Sequence, residues 1–157
     1  MRCITTAVKT ATGAAALAAA GVFTAATAAA QPAIQKFGTA EQLFDGPMVT
    51  AYTVSHLQPS TAVLPGYTPA GKLYQADVTA RSDGGTVTPL ISDFNARAAN
   101  GQTYRVIDTV PAPDGISPAP LVQGEQSSGK IYFDVTGAPP DGVVYNDGVQ
   151  DVLIWTT

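Results

Sequence analysis

Proline and glycine punctuate this chain so often that it can hold only short, extended segments. All twelve prolines lie beyond residue 31, and fifteen glycines are spread along the chain. Beyond Gln31 no apolar pattern keeps a 3.6-residue period over three turns, so no amphipathic helix is expected there. Short runs alternate between apolar and polar residues and stop at turn residues. That pattern predicts an all-β sandwich or barrel.

The first thirty residues read differently. Arg2 and Lys9 form a positive head, Ala14 to Phe23 an uncharged apolar middle, and Ala28-Ala29-Ala30 a small-residue end. This is the format of a signal peptide cleaved before Gln31. A retained anchor is the alternative, since Thr10–Ala30 is uncharged and long enough to span a bilayer. Alanine, Gly13, Thr24 and Thr27 favour insertion weakly, however, and no positive flank follows. The expected division is residues 1–30 as signal peptide and 31–157 as one domain, large enough to bury a core without staples. Cys3 is the only cysteine and departs with the leader, leaving no disulfide and no thiolate site.

After Gln31 six basic residues face twelve acidic ones, a net charge of −6. The acids are scattered singly and the bases form no cluster, which suits a solvated surface and disfavours nucleic acid as a partner. No stable membrane anchor is expected in the mature chain, which should be a monomer.

Individual strands can be placed. Ala33–Phe37 and Glu41–Asp45 are weak candidates split by Gly38. Met48–Leu57 is firm, with Tyr52 and Val54 on one face. In Lys72–Arg81, Tyr74, Ala76, Val78 and Ala80 face inward. Thr86–Thr88 and Leu90–Ala98 follow, with Pro89 at an edge or bulge. Asn100-Gly101 predicts a type I′ hairpin to Thr103–Thr109, where Tyr104 and Val106 share a face. Ser60–Tyr67 is a loop with a type II turn at Pro65-Gly66, and Val63, Leu64 and Tyr67 should tuck it onto the sandwich. Val110–Leu121 carries four prolines and reads as a long surface loop. Gln123–Gly137 starts as a turn and becomes a strand, with Ile131, Phe133 and Val135 inward and Lys130, Tyr132 and Asp134 outward. Gly142–Tyr145 and Val149–Trp155 close the chain around an Asn146-Asp147-Gly148 turn. Val152–Trp155 is apolar on both faces, which predicts a central or capped strand.

Little chemistry is written in these strands. His56 is the only histidine, and any serine triad would need it as its base; its plain reading is a partly exposed strand-end residue. Asn146, Asp147 and Asp151 are close together but lack the EF-hand spacing, and a hairpin turn explains them. Tyr52, Phe94, Tyr104, Tyr132, Phe133 and Trp155 sit in strand patterns and read as core. No glycine-rich phosphate loop is present. We therefore assign no catalytic, cofactor-binding or metal residue.

The segments STAVLPGY, DFNARAANGQTYRV, QGEQSSGKIYFDVTG and DVLIW stand in this order. With them the chain resembles the mycobacterial secreted immunogenic protein family of the MPT-sixty-three type, over about Met48 to Trp155. Gln31 to Pro47 match poorly. The resemblance implies an immunoglobulin-like antiparallel β-sandwich that is secreted, extracellular and antigenic. It implies no enzyme and no cofactor. By fold analogy it points to an extracellular or envelope protein as partner, through the Ser60–Tyr67 and Val110–Leu121 loops. The competing expectation is a carrier of a small ligand or lipid, which needs a cavity between the sheets.

Overall fold

The computed structural model describes residues 31–157; the leader expected over residues 1–30 lies outside them. Among the described residues nine strands form two sheets. They are β1 (Ala33–Lys36), β2 (Ala40–Asp45), β3 (Met48–Pro59), β4 (Lys72–Gly84), β5 (Phe94–Ala98), β6 (Thr103–Arg105), β7 (Gln126–Val135), β8 (Pro140–Asn146) and β9 (Asp151–Thr156). One sheet has the order β1-β9-β8-β5-β6 and the other β2-β3-β4-β7. Both weak N-terminal candidates are therefore strands, and they belong to different sheets.

Among the strand pairs only one departs from antiparallel pairing, because β1 runs parallel to β9. The chain turns at Gly38 (φ 88) and crosses to the other sheet, so β1 cannot form a hairpin with β2. Its neighbour is β9, whose direction the β8–β9 hairpin has already set. β9 thus lies between β1 and β8, as expected for a segment apolar on both faces.

The alternating residues meet between the sheets. Val54, Ala76, Ala80, Phe94, Ala96, Phe133, Val143 and Trp155 are wholly buried. Tyr52 of one sheet stacks on Tyr145 of the other at 5.4 Å and meets the Phe94 ring edge-on at 5.3 Å. Phe94 in turn contacts Tyr145 edge-on and lies 6.2 Å from Trp155. These geometries add to the apolar area the rings bury. Trp155 Nε1–H donates to the Thr39 carbonyl at 2.9 Å, so the aromatic cluster also fastens the β1–β2 corner.

Several boundaries differ from the expected ones. Leu90–Ala98 is not one strand, since Ile91–Asp93 forms a single 3-10 turn and Leu90 is exposed. Pro89 donates no ladder hydrogen bond, and the chain only regains extended form at Phe94. Thr86–Thr88 contributes a lone bridge from Val87 to Leu121. The Thr103 strand ends at Arg105, after which Val106 bridges to Phe133 in the opposite sheet. Val149 is fully outside, on the β8–β9 turn. The Asn100-Gly101 hairpin is not type I′, because only Gly101 has positive φ (87°). Gly101 N–H bonds to Ala98 O and Ala98 N–H to Gln102 O, both at 2.9 Å. That is a three-residue loop ending in a left-handed glycine. Pro65-Gly66 does form its expected turn, with Gly66 at φ 81 and Tyr67 N–H on Leu64 O at 3.1 Å.

Phe133 belongs to the inter-sheet core and is fully buried. Phe133→Ala should destabilise the domain by roughly 3–5 kcal/mol. Val63, 82% exposed despite its expected tucked position, should tolerate alanine with almost no change. Urea unfolding followed by tryptophan fluorescence reads both.

Candidate binding surface

The outer face of the β2-β3-β4-β7 sheet gathers both candidate loops together with Lys130, Tyr132 and Asp134. Tyr132, expected outward, does project from this outer face but is only 2% exposed. The two candidate loops cover it. Tyr132 forms a second small core with Leu64 and Leu73, and Tyr67, Ile107, Val110 and Ala112 pack around it. Alternation reports the face of a strand; it is silent about what lies over that face.

Each loop is tied down by specific bonds. Ser60 Oγ donates to Gln75 Oε1 at 2.7 Å, and Tyr67 OH donates to Asp134 Oδ2 at 2.9 Å. Asp134 also accepts the Ala70 and Gly71 amides at 2.8 Å each. Burial alone would raise its pKa, but these donors outweigh burial and hold it below the ordinary carboxylate value. The Val110–Leu121 segment is a loop, as its prolines require, yet its proline-free stretch reaches β7. Gly115 bridges in parallel to Lys130, with Lys130 N–H on Asp114 O at 2.9 Å and Ile116 N–H on Lys130 O at 3.2 Å. This approach requires Gly129, where a Cβ would overlap the Ile116 backbone.

The Asp114 side chain completes the attachment. It accepts from Tyr132 OH at 2.6 Å and lies 3.2 Å from Lys130 Nζ. The tyrosine bond, aided by Lys130, keeps Asp114 below its ordinary pKa. Burial, then the Asp114 bond, pushes the Tyr132 phenol up. Lys130 also faces Asp77 at 3.9 Å, and Asp77 accepts from His56 Nδ1 at 2.9 Å. The result is a polar ladder across β3, β4 and β7.

His56 is no triad base in this arrangement. It sits on a β-bulge with φ 52, the one non-glycine residue of positive φ among the described residues. Its side chain is 73% exposed, and the neighbouring Ser55 Oγ lies 3.3 Å from the same Nδ1 that Asp77 occupies. A triad places acid and nucleophile on opposite ring nitrogens. Asn146, Asp147 and Asp151 serve the β8–β9 turn. Asp147 Oδ1 caps the Val149 and Gln150 amides at 2.9 and 2.8 Å, while Asp151 pairs with Arg97 and accepts from Asn146 Nδ2 at 2.8 Å.

Between the proline loop and the Pro89–Ser92 segment lies an open groove of about 580 Å³. Leu90, Ile91, Ile107, Pro111 and Ile116 make its walls apolar, with Lys130 to Tyr132 as its floor. Val106, Ile116 and Ile131 of the main core also line it, so it opens at the edge of that core. No single-residue motif announces it; the only sequence signal is the density of prolines in Val110–Leu121.

Glu41 also departs from the expected solvated acids. It is 4% exposed, and neither carboxylate oxygen has a hydrogen-bond partner among the described residues. Loss of water pushes its pKa up to about 7, against a weaker pull from the Ile154 backbone. Its phase with Leu43 was the available signal, since the two share a strand face.

The family model of DUF1942, a domain of unknown function, matches residues 32–155. It thus reaches across the N-terminal stretch that carries little of the resemblance. Immunogenic protein MPB63 of Mycobacterium bovis is 48% identical over 155 residues, covering 97% of this chain and 98% of the relative. Immunogenic protein MPT63 of Mycobacterium tuberculosis gives the same figures. The crystal structure of MPT63, described as a secreted protein, superposes with a TM-score of 0.79 at 47% identity, over 82% of this chain and all of that one. The yjhA protein of Bacillus subtilis shares the fold alone, at a TM-score of 0.53 and 16% identity over 78% of this chain and 98% of its own.

Two outcomes follow from this geometry. Gly129→Ala should detach Asp114–Ile116 from β7, seen as faster amide exchange at Lys130 and Ile116 and increased exposure of Tyr132, while the inter-sheet core stays protected. Glu41 keeps its proton in the fold up to about pH 7 but releases it near 4.5 when unfolded. The folded state therefore binds more protons in that window, and Glu41's contribution to stability falls as pH rises through it. The loss is on the order of 3 kcal/mol, and Glu41→Gln should flatten it in urea titrations between pH 4.5 and 8.

Proposed function

Since the chain belongs to the DUF1942 family and to the group of mycobacterial immunogenic proteins that includes MPT63 and MPB63, we propose that it is an exported, non-enzymatic binding module for a protein of the cell envelope or its surroundings. The observation that carries this reading is the joint platform of the two loops over Tyr132, with the apolar groove beside it. Both loops are held by backbone and side-chain bonds, so the surface is ordered before a partner arrives. Preorganisation of this kind lowers the entropy lost on binding.

Export is supported by the signal-peptide pattern of residues 1–30 and by the description of the MPT63 structure as that of a secreted protein. A non-enzymatic role is supported by the His56 geometry and by carboxylates engaged in turns, loop anchors and ion pairs. The small-ligand carrier fits less well. It needs space between the sheets, where Tyr52, Phe94, Tyr145 and Trp155 are packed.

The mature chain, immobilised and exposed to culture filtrate and cell-wall extract, should retain a defined protein at micromolar concentration. Leu90→Asp, at an exposed position of the groove wall, should abolish retention without unfolding the inter-sheet core. Failure of the unmodified chain to retain any protein would overturn the proposal, as would equal retention by the variant.

A further inference from the structure

The groove between the proline loop and the Pro89–Ser92 segment has a sign of charge as well as a shape. Three ionisable side chains line it: Asp108, Lys130 and Tyr132. Two of them are engaged by the chain itself. Lys130 Nζ lies 3.2 Å from Asp114 and 3.9 Å from Asp77, so two carboxylates oppose its single charge. The Tyr132 hydroxyl donates to Asp114 at 2.6 Å. Asp108 differs from both. It is exposed at the groove, and among the described residues it has no ion pair and no side-chain hydrogen bond.

The surroundings reinforce this negative sign. Ser92 belongs both to the groove and to a polar cleft beside it. That cleft holds Arg97 and Arg105 together with Asp93 and Asp147, and Arg97 is paired with Asp151. Arg105 therefore faces two acids of the cleft, and the acids outnumber the bases across both hollows. Beyond Gln31 the chain carries twelve acidic and six basic residues. A field of this sign attracts cationic partners and repels anionic ones before contact. The walls add an apolar requirement. Leu90 is 52% exposed and stands with Ile91 across from Ile107 and Pro111. A bulky apolar side chain placed between these walls would leave water on most of its surface.

We propose that the groove takes a segment of a partner protein in which a bulky apolar residue is accompanied by a lysine or arginine. The apolar side chain enters between Leu90 and Pro111, and the cation pairs with Asp108. Apolar insertion supplies the affinity, and charge sets which segments are accepted and how fast they arrive. An acidic segment would meet Asp108 and its neighbours with like charge. This inference rests on the reading of the protein as a binding module and names the chemistry of its partner.

The test titrates the isotopically labelled mature chain with acetylated, amidated peptides Gly-Leu-Leu-X-Gly-Ser, where X is Lys, Gln or Glu. The Lys peptide should shift the amide resonances of Ile91, Ser92, Ile107 and Ile116 and bind about tenfold more tightly than the Glu peptide, with Gln between them. The ratio should shrink as added salt reduces the Debye length from about 30 Å to about 8 Å. Asp108→Asn, at an exposed position, should cut the ratio to about twofold while leaving the Gln peptide unchanged. Asp141→Asn removes the same charge at the far end of β8 and should leave the ratio near its original value. Equal affinity for the Lys and Glu peptides would overturn the proposal, as would tighter binding of Glu or equal effects of the two Asn variants. No shift at the groove up to millimolar peptide, while Leu90→Asp still abolishes retention of a protein from extract, would overturn the basic segment and leave the groove reading standing. Concentration-dependent shifts of the same amides in the free protein would assign the groove to a second copy and overturn the partner assignment.

Discussion

The contact between Tyr52 of β3 and the Phe94–Tyr145–Trp155 set of the opposite sheet governs the molecule. It brings the two sheets together across their middle with rings at 5.3 to 5.4 Å. Burial pushes the Tyr52 phenol up to about 12, and burial likewise raises that of Tyr145, so both stay neutral hydroxyls inside the core. Trp155 then fastens the N-terminal corner through Thr39. Without this corner β1 and β2 would lack a reason to enter different sheets.

A second layer is built on the outside of one sheet. Tyr132 gives this layer its centre, because a large side chain on an outer face needs either water or a cover. Leu64 from one loop and the chain around Val110 from the other supply the cover. Asp114 and Asp134 then convert hydrophobic contact into fixed geometry, each accepting a tyrosine hydroxyl along with further donors. The surface ion pairs along the same face are exposed and contribute little to stability. Their effect is to orient Lys130 and His56. Acids that looked interchangeable in the sequence thus divide into loop anchors, turn caps and one buried carboxylate.

Proline has two effects in the Val110–Leu121 segment. It prevents a tenth strand, and it leaves Asp114–Ile116 as the part able to pair with β7. Gly129 makes that approach sterically allowed. The groove lies between the Pro89–Ser92 segment and a chain pinned at Ile107 and again at Gly115. Pinned segments of this kind present a surface without first having to be ordered.

The sequence by itself determined the class of fold, most strand positions, the inward faces of β3, β4 and β7, and the central place of the C-terminal strand. These follow from local rules. Side chains alternate every two residues, proline removes a donor, and glycine accepts positive φ. The same rules placed the Pro65-Gly66 turn and the proline loop. They misjudged Val63, Val149 and the Leu90 segment, were silent about what covers Tyr132, and treated Glu41 as one more solvated acid. Only the tertiary structure decided these points. Whether an outer face is dry, which strand is an edge and where two distant loops meet depend on contacts between residues far apart in the chain. Periodicity tells a residue which side of its own strand it occupies, and packing decides what stands on that side.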